Sequence, residues 1–295
     1  MSDPEIGALR AKILSRPVIT DLAERRKATD ERGLAYGLAA DVTVEKVSAN
    51  GVAAEWTATP GAARDAAILY AHGGGYLFGS LDSHRHMVAE LGRAANCVAL
   101  AMNYRLAPEH PFPAPVEDAL AGYRFLLAQG FKPERIAIAG DSAGGGLVVA
   151  AMVAIREAGL PQPGAGWCLS PWIDMEALGA SMETRAAADP MVQKAGILEI
   201  AKAYLAGADP RSPLAAPLYA DLAGIAPLLI QVGAAETLLD DAIRLAQKAG
   251  AADVRVDLQV WPEMVHVWPL FWPELKAGRC ALDEAGAWIG RTLGT

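Results

Sequence analysis

The segment Arg135-Ile-Ala-Ile-Ala-Gly-Asp-Ser-Ala-Gly-Gly-Gly-Leu-Val-Val149 decides how the rest of this chain is read. Ile136 to Ala139 is a short, wholly apolar run, the pattern of a strand buried on both faces. Leu147 to Ile155 continues with the apolar density of a buried helix. Between them lies Gly140-Asp-Ser-Ala-Gly144. A chain that leaves a central strand and enters a helix within so few residues turns sharply, and small residues two before and two after the apex keep side chains from colliding. The apex residue, Ser142, is pushed out at the carboxyl edge of the sheet beside a helix amino terminus. That is a strained elbow presenting a nucleophilic hydroxyl.

Upstream, Ala66 to Tyr70 reads as a buried strand that runs straight into His72-Gly-Gly-Gly-Tyr76. Three glycines after a strand let backbone amides approach a ligand with no side chain in the way. Acyl transfer needs such donors, because charge develops on the carbonyl oxygen, and this loop is the companion of the elbow in lipases and esterases. The amides of Gly74, Gly75 and Ala143 are the expected oxyanion hole. His72 is expected to fasten the loop rather than to act as a base.

Downstream, a serine hydroxyl needs a base in reach and a third group to orient that base. In the lipase and esterase fold that the elbow and the glycine loop resemble, the order is serine, acid, histidine, with the acid after the seventh strand. Of His72, His84, His86, His110 and His266, only His266 follows Ser142, in a loop after a strand at Val254 to Val260. The acid should leave the seventh strand, Leu228 to Val232, where Gly233-Ala-Ala-Glu236 stands. Glu236 is favoured and Asp240 is the competitor.

The remainder fits an α/β chain. Two helices are expected over residues 3 to 35, interrupted at Pro17, and Asn50-Gly51 predicts a hairpin between Val42–Val47 and Val52–Thr57. Cys97 to Met102 is a buried strand, Pro108 to Pro115 an extended loop, and Val116 to Gln129 an amphipathic helix. Arg105 is expected in a buried ion pair with Glu109 or Asp118. Gly164 to Leu169 is the next strand. Ser170 to Arg211 then breaks the alternation, with a helix at Ile197 to Leu205. Helices at Leu238 to Lys248 and around Pro273 to Leu293 close the chain. Strands alternating with helices imply a mostly parallel sheet covered on both faces, with its site at the carboxyl ends of the strands.

A chain of 295 residues, 53% apolar and 20% charged, is long enough for a large single-domain core. Its net charge of -8 argues against nucleic acid or an anionic membrane as partner. Cys97, Cys168 and Cys280 show no disulfide or zinc spacing and are expected as reduced core thiols. No signal-peptide pattern opens the sequence, and no apolar run reaches the ~18 residues of a membrane span, so a cytoplasmic location is expected.

His72-Gly-Gly-Gly, Asn103-Tyr-Arg-Leu-Ala-Pro-Glu109, Phe112-Pro-Ala-Pro-Val-Glu-Asp118, Gly140-Asp-Ser-Ala-Gly144 and Asp189-Pro-Met191 together resemble the bacterial branch of the hormone-sensitive lipase family of α/β hydrolases. The resemblance runs from about residue 40 to His266. It implies an α/β-hydrolase fold and a carboxylesterase acting on short-acyl esters, without metal or organic cofactor. It also implies a helical cap, mapped to about residues 1–40 and 180–212, over a catalytic core of about 41–179 and 213–295, and a possible homodimer. The family usually carries aspartate where Glu236 stands, so the glutamate is a departure. Tyr76, Met191 and Val192 are the expected substrate contacts, although the last two could equally anchor the cap. An amidase or arylformamidase would use the same residues. A non-catalytic receptor on this scaffold typically lacks the histidine that is present here.

Overall fold

The computed structural model describes residues 4–295. In chain order the elements are α1 (Pro4–Leu14), α2 (Leu22–Leu34), β1 (Thr43–Ala49), β2 (Val52–Ala58), β3 (Ala63–Ala71), α3 (Leu81–Ala94), β4 (Cys97–Met102), α4 (Ala114–Ala128), β5 (Ile136–Asp141), α5 (Ala143–Glu157), β6 (Ala165–Leu169), α6 (Ser181–Thr184), α7 (Lys194–Leu205), β7 (Leu228–Gly233), α8 (Leu239–Ala251), β8 (Val256–Trp261) and α9 (Lys276–Leu293). The strands form one sheet in the order β1-β2-β4-β3-β5-β6-β7-β8. β1–β2 and β2–β4 pair antiparallel and every other neighbour pairs parallel. At the hairpin, Asn50 and Gly51 both take positive φ, 53° and 95°, as a tight turn between twisted strands requires.

Period-two alternation sorts the core into two layers. Ala67, Leu69 and Ala71 of β3 face a cluster with α4, α5, α7 and α8, whereas Ala66, Ile68 and Tyr70 face one with α1, α3 and α9. The parallel strands β3, β5, β6 and β7 are therefore apolar nearly throughout, and their carboxyl ends gather the loops that matter at one edge.

Four sequence expectations are corrected. Helix α3 lies where no element was expected. Helix α4 begins at Ala114, so Pro115 sits in its first turn rather than in an extended loop. Arg105 pairs with Asp118 (2.7 Å), one of its two expected partners, and with Glu117 (2.9 Å), but its side chain is exposed rather than buried, while Glu109 is taken by Arg26 (2.8 Å). Cys97 and Cys168 are buried, but Cys280 is exposed, because it occupies the outward side of α9 beside the inward-facing Ala281 and Leu282.

One buried carboxylate makes stability depend on pH. Asp241 Oδ2 accepts from the amides of Ile173 (2.9 Å) and Asp174 (3.1 Å), and among the described residues its Oδ1 has no partner. Burial pushes this carboxyl up to about 7; the Ile173 amide pulls it down and the charge of Asp174 pushes it up. A carboxyl raised in the folded state costs stability as pH rises from its unfolded value near 3.8 toward about 7, and the loss levels off above that. Asp241→Asn keeps an acceptor for both amides and removes the charge. Its melting temperature is expected to exceed that of the parent by a margin that grows between pH 5 and pH 8.5; a constant margin would refute the linkage.

Candidate active site

Ser142 sits at φ 55° and ψ -120° between β5 and α5, a conformation that costs a non-glycine residue of order 1–3 kcal/mol. The flanking glycines explain how the turn closes. A Cβ on Gly140 would stand 2.5 Å from the Gly144 carbonyl oxygen, and one on Gly144 would stand 2.0 Å from that of Ala71. The turn holds because Ser142 N donates to Leu169 O (2.8 Å) and Ser142 O accepts from Trp172 N (2.9 Å) and Gly146 N (3.1 Å). The Ser142 side chain is left partly exposed.

His266 arrives on the loop after β8. That loop lies against the end of β7, where Ala235 N donates to Met264 O (3.1 Å) and a Cβ on Gly233 would stand 2.2 Å from the same oxygen. The contact brings three side chains into line. Ser142 Oγ–H donates to His266 Nε2 (2.9 Å), and His266 Nδ1–H donates to Glu236 Oε2 (2.8 Å). Glu236 is fully buried, and its other oxygen accepts from the Ser170 hydroxyl (2.7 Å) and the Gly233 amide (2.6 Å). Asp240 is turned elsewhere and accepts from Ser181 N (2.9 Å). Burial alone would push the imidazole below its ordinary value, but the hydrogen bond and charge of Glu236 outweigh it and hold His266 raised.

The glycine loop is tied to the elbow by Asp141, a residue that sequence reasoning did not single out. Its Oδ1 accepts from Gly73 N (2.9 Å) and the Tyr70 hydroxyl (2.7 Å), and His84 Nε2 lies 3.3 Å from Oδ2. Burial pushes this carboxyl up, but His84, Tyr70 and His72 together hold it below its ordinary range. The loop passes through φ values of 116° at Gly74 and 63° at Gly75. Among the described residues the amides of Gly74 and Gly75 donate to no protein acceptor, and Ala143 N opens α5, where no intrahelical acceptor exists. His72 Nδ1–H donates to Gly73 O (2.7 Å), so this histidine fastens the loop as expected, and burial lowers it to about 3, leaving it neutral.

Tyr76 is buried, stacked on Tyr204 of α7 at 3.9 Å and tilted against Trp172 at 6.0 Å. Ile200 of α7 rests on the glycine loop, 2.7 Å from where a Cβ on Gly75 would stand. Met191 and Val192 are half-buried; Met191 packs with the cluster containing Met264, Val265 and Val267 around His266. Their amides donate to Asp189 Oδ1 (2.8 and 3.0 Å), while Asp189 Oδ2 accepts from the amide (2.9 Å) and hydroxyl (3.1 Å) of Thr237, next to Glu236. Ser170, Asp141 and Asp189 are polar residues to which the sequence reading gave no role of their own, although Asp141 and Asp189 stand inside motifs quoted for the family resemblance and Ser170 is a serine at the carboxyl end of a central strand.

Known proteins match this chain in sequence and in fold. A family model described as alpha/beta hydrolase fold matches residues 68–270. An acetyl-hydrolase of Streptomyces hygroscopicus is 47% identical over 274 residues, 93% of this chain and 91% of that protein. The crystal structure of an esterase from the bacterial hormone-sensitive lipase family superposes with a TM-score of 0.97 at 50% identity, covering 100% of both chains. That of EstE5 soaked with p-nitrophenyl butyrate superposes at 0.96 with 46% identity and the same coverage. An elbow serine bonded to a histidine after β8, under a glycine loop after β3, thus comes with matching sequence over nearly the whole chain: the protein belongs to the α/β-hydrolase fold family, in its bacterial hormone-sensitive lipase branch.

Proposed function

We propose that this protein is a serine carboxylesterase that hydrolyses short-acyl esters through an acyl-enzyme. The observation that carries the reading is the unbroken chain Ser142 Oγ–His266 Nε2 at 2.9 Å and His266 Nδ1–Glu236 Oε2 at 2.8 Å. Ser142 Oγ attacks the ester carbonyl as His266 Nε2 takes its proton, and Glu236 steadies the imidazolium. The amides of Gly74, Gly75 and Ala143 receive the developing oxyanion. His266 then protonates the departing alcohol and deprotonates the water that releases the acid. Tyr76 and Trp172 bound the acyl side, with Met191 and Val192 on the other flank. Residues 4–40 and 180–212 serve as the cap, and residues 1–3 of that segment lie outside the described residues.

Support for an ester rather than an amide comes from the names of the relatives, an acetyl-hydrolase and an esterase. The test is a series of p-nitrophenyl esters from acetate to decanoate, with p-nitroacetanilide as the amide control. Acetate to butyrate should give the highest kcat/KM, and the anilide should turn over at least about 10³-fold more slowly. A preferred decanoate, or an anilide matching the acetate, would overturn the proposal.

A further inference from the structure

The α1–α2 segment spans the two loops that build the site and brings positive charge there. Arg25 of α2 lies over the ring of Phe78 at 4.0 Å, in the turn where the Leu77 and Phe78 amides both donate to Gly74 O. Arg16, in the connection after α1, lies over the ring of Phe271 at 5.7 Å, in the turn that follows His266. Arg25, Thr29 and Arg32 stand at i, i+4 and i+7 on one face of α2, and Arg32 Nη2 donates to the Thr29 hydroxyl (2.9 Å).

Among the described residues no carboxylate comes within ion-pair distance of Arg16, Arg25 or Arg32. Several nearby acids are held by other groups. Glu274 is held by Lys12 at 2.6 Å and by the Tyr36 hydroxyl, Glu109 by Arg26, Glu31 by Lys27 (3.8 Å), Asp30 by the Ser80 hydroxyl and Asp21 by the Glu24 amide. Burial, and then the charges of Arg16 and Arg25, hold Arg32 below its ordinary value, which places the three guanidinium groups in one field. Arginine does not shed its proton in response; Glu274, whose carboxyl the charges of Lys12 and Arg16 help hold below its ordinary range, is coupled to Arg16 without an ion pair to it. In a chain of net charge -8, a positive cluster with no ion pair among the described residues is a local exception to a surface that repels anions.

We infer that Arg16, Arg25 and Arg32 form an oxyanion-recognition rim above the site, and that the physiological ester carries a carboxylate or similar oxyanion on its alcohol portion, remote from the scissile bond. This rests on the esterase reading. The alcohol portion follows from the reading above, in which Tyr76 and Trp172 bound the acyl side.

The test uses acetate esters of ω-hydroxyalkanoic acids of three to eight carbons, each against its neutral ω-amide, with acid release followed titrimetrically. The parent enzyme should prefer the carboxylate by about tenfold or more in kcat/KM at one or more chain lengths, through a lower KM. That ratio should fall toward one in 1 M sodium chloride and in the Arg25→Gln/Arg32→Gln double variant. A ratio at or below one at every length would overturn the inference, as would a ratio unchanged in the double variant. If the variant loses rate equally on both members of each pair, the ratio is unchanged and the arginines are structural. Failure of the parent enzyme to hydrolyse any of these acetates or p-nitrophenyl acetate would instead refute the esterase reading.

Discussion

Ser142→Ala is expected to lower kcat/KM on p-nitrophenyl acetate by about 10⁴-fold or more, with the folded structure retained. Among the described residues the only side-chain hydrogen bond of Ser142 is the one from its hydroxyl to His266 Nε2. The strained backbone at φ 55° adds a companion result, because glycine adopts this conformation freely. Ser142→Gly should be equally inactive and yet melt higher than Ser142→Ala, by about 1 kcal/mol of relieved strain. Residual activity within tenfold of the parent in either variant would move the nucleophile elsewhere.

Glu236→Gln is expected to lower kcat by about 10³- to 10⁴-fold, whereas Asp240→Asn should change it less than about threefold. Glutamine in place of Glu236 presents either an amide nitrogen to His266 Nδ1–H or a neutral oxygen, so the imidazole loses its fixed tautomer or the charge that steadies the imidazolium. Asp240 sits on the Ser181 amide instead. The pH profile supplies a second readout. Because Glu236 holds His266 raised, the parent should lose kcat/KM as pH falls through a value above 6.5, the imidazole being protonated and unable to accept from Ser142. Removing the carboxylate charge should move that acid limb to lower pH. Equal losses in the two variants, or an acid limb that does not move, would reject Glu236 as the acid.

Much of this site could be read from the sequence because chemistry constrains it locally. An elbow needs small residues at 140 and 144, amide donors need glycines at 74 and 75, and a base must come after the serine. The glutamate at 236 in place of the family's aspartate was legible by position, at the end of β7. What stayed hidden depends on contacts between distant loops. Asp141, Ser170 and Asp189 owe their roles to hydrogen bonds with partners 68, 66 and 48 residues away, and no local pattern announces such pairs. Helix α3 was missed for a related reason. Its buried face carries His84, His86 and Glu90 beside Met87 and Leu91, so the apolar period is broken by polar groups that are buried only because other elements satisfy them. Its capping box uses Ser80 with Ser83, not the glutamate that usually marks one.

Helix α1 buries Ile6, Leu9 and Ile13 in the cluster that includes Met264, Val267, Phe271 and Leu275, and Arg10 donates to the carbonyl of Glu263, 253 residues along the chain. The loop that carries the imidazole is therefore propped by residues that leave the ribosome long before it does. The seat of α1 does not exist until residues 263–275 have been made, so the helix cannot bury Ile6, Leu9 and Ile13 in this cluster before then.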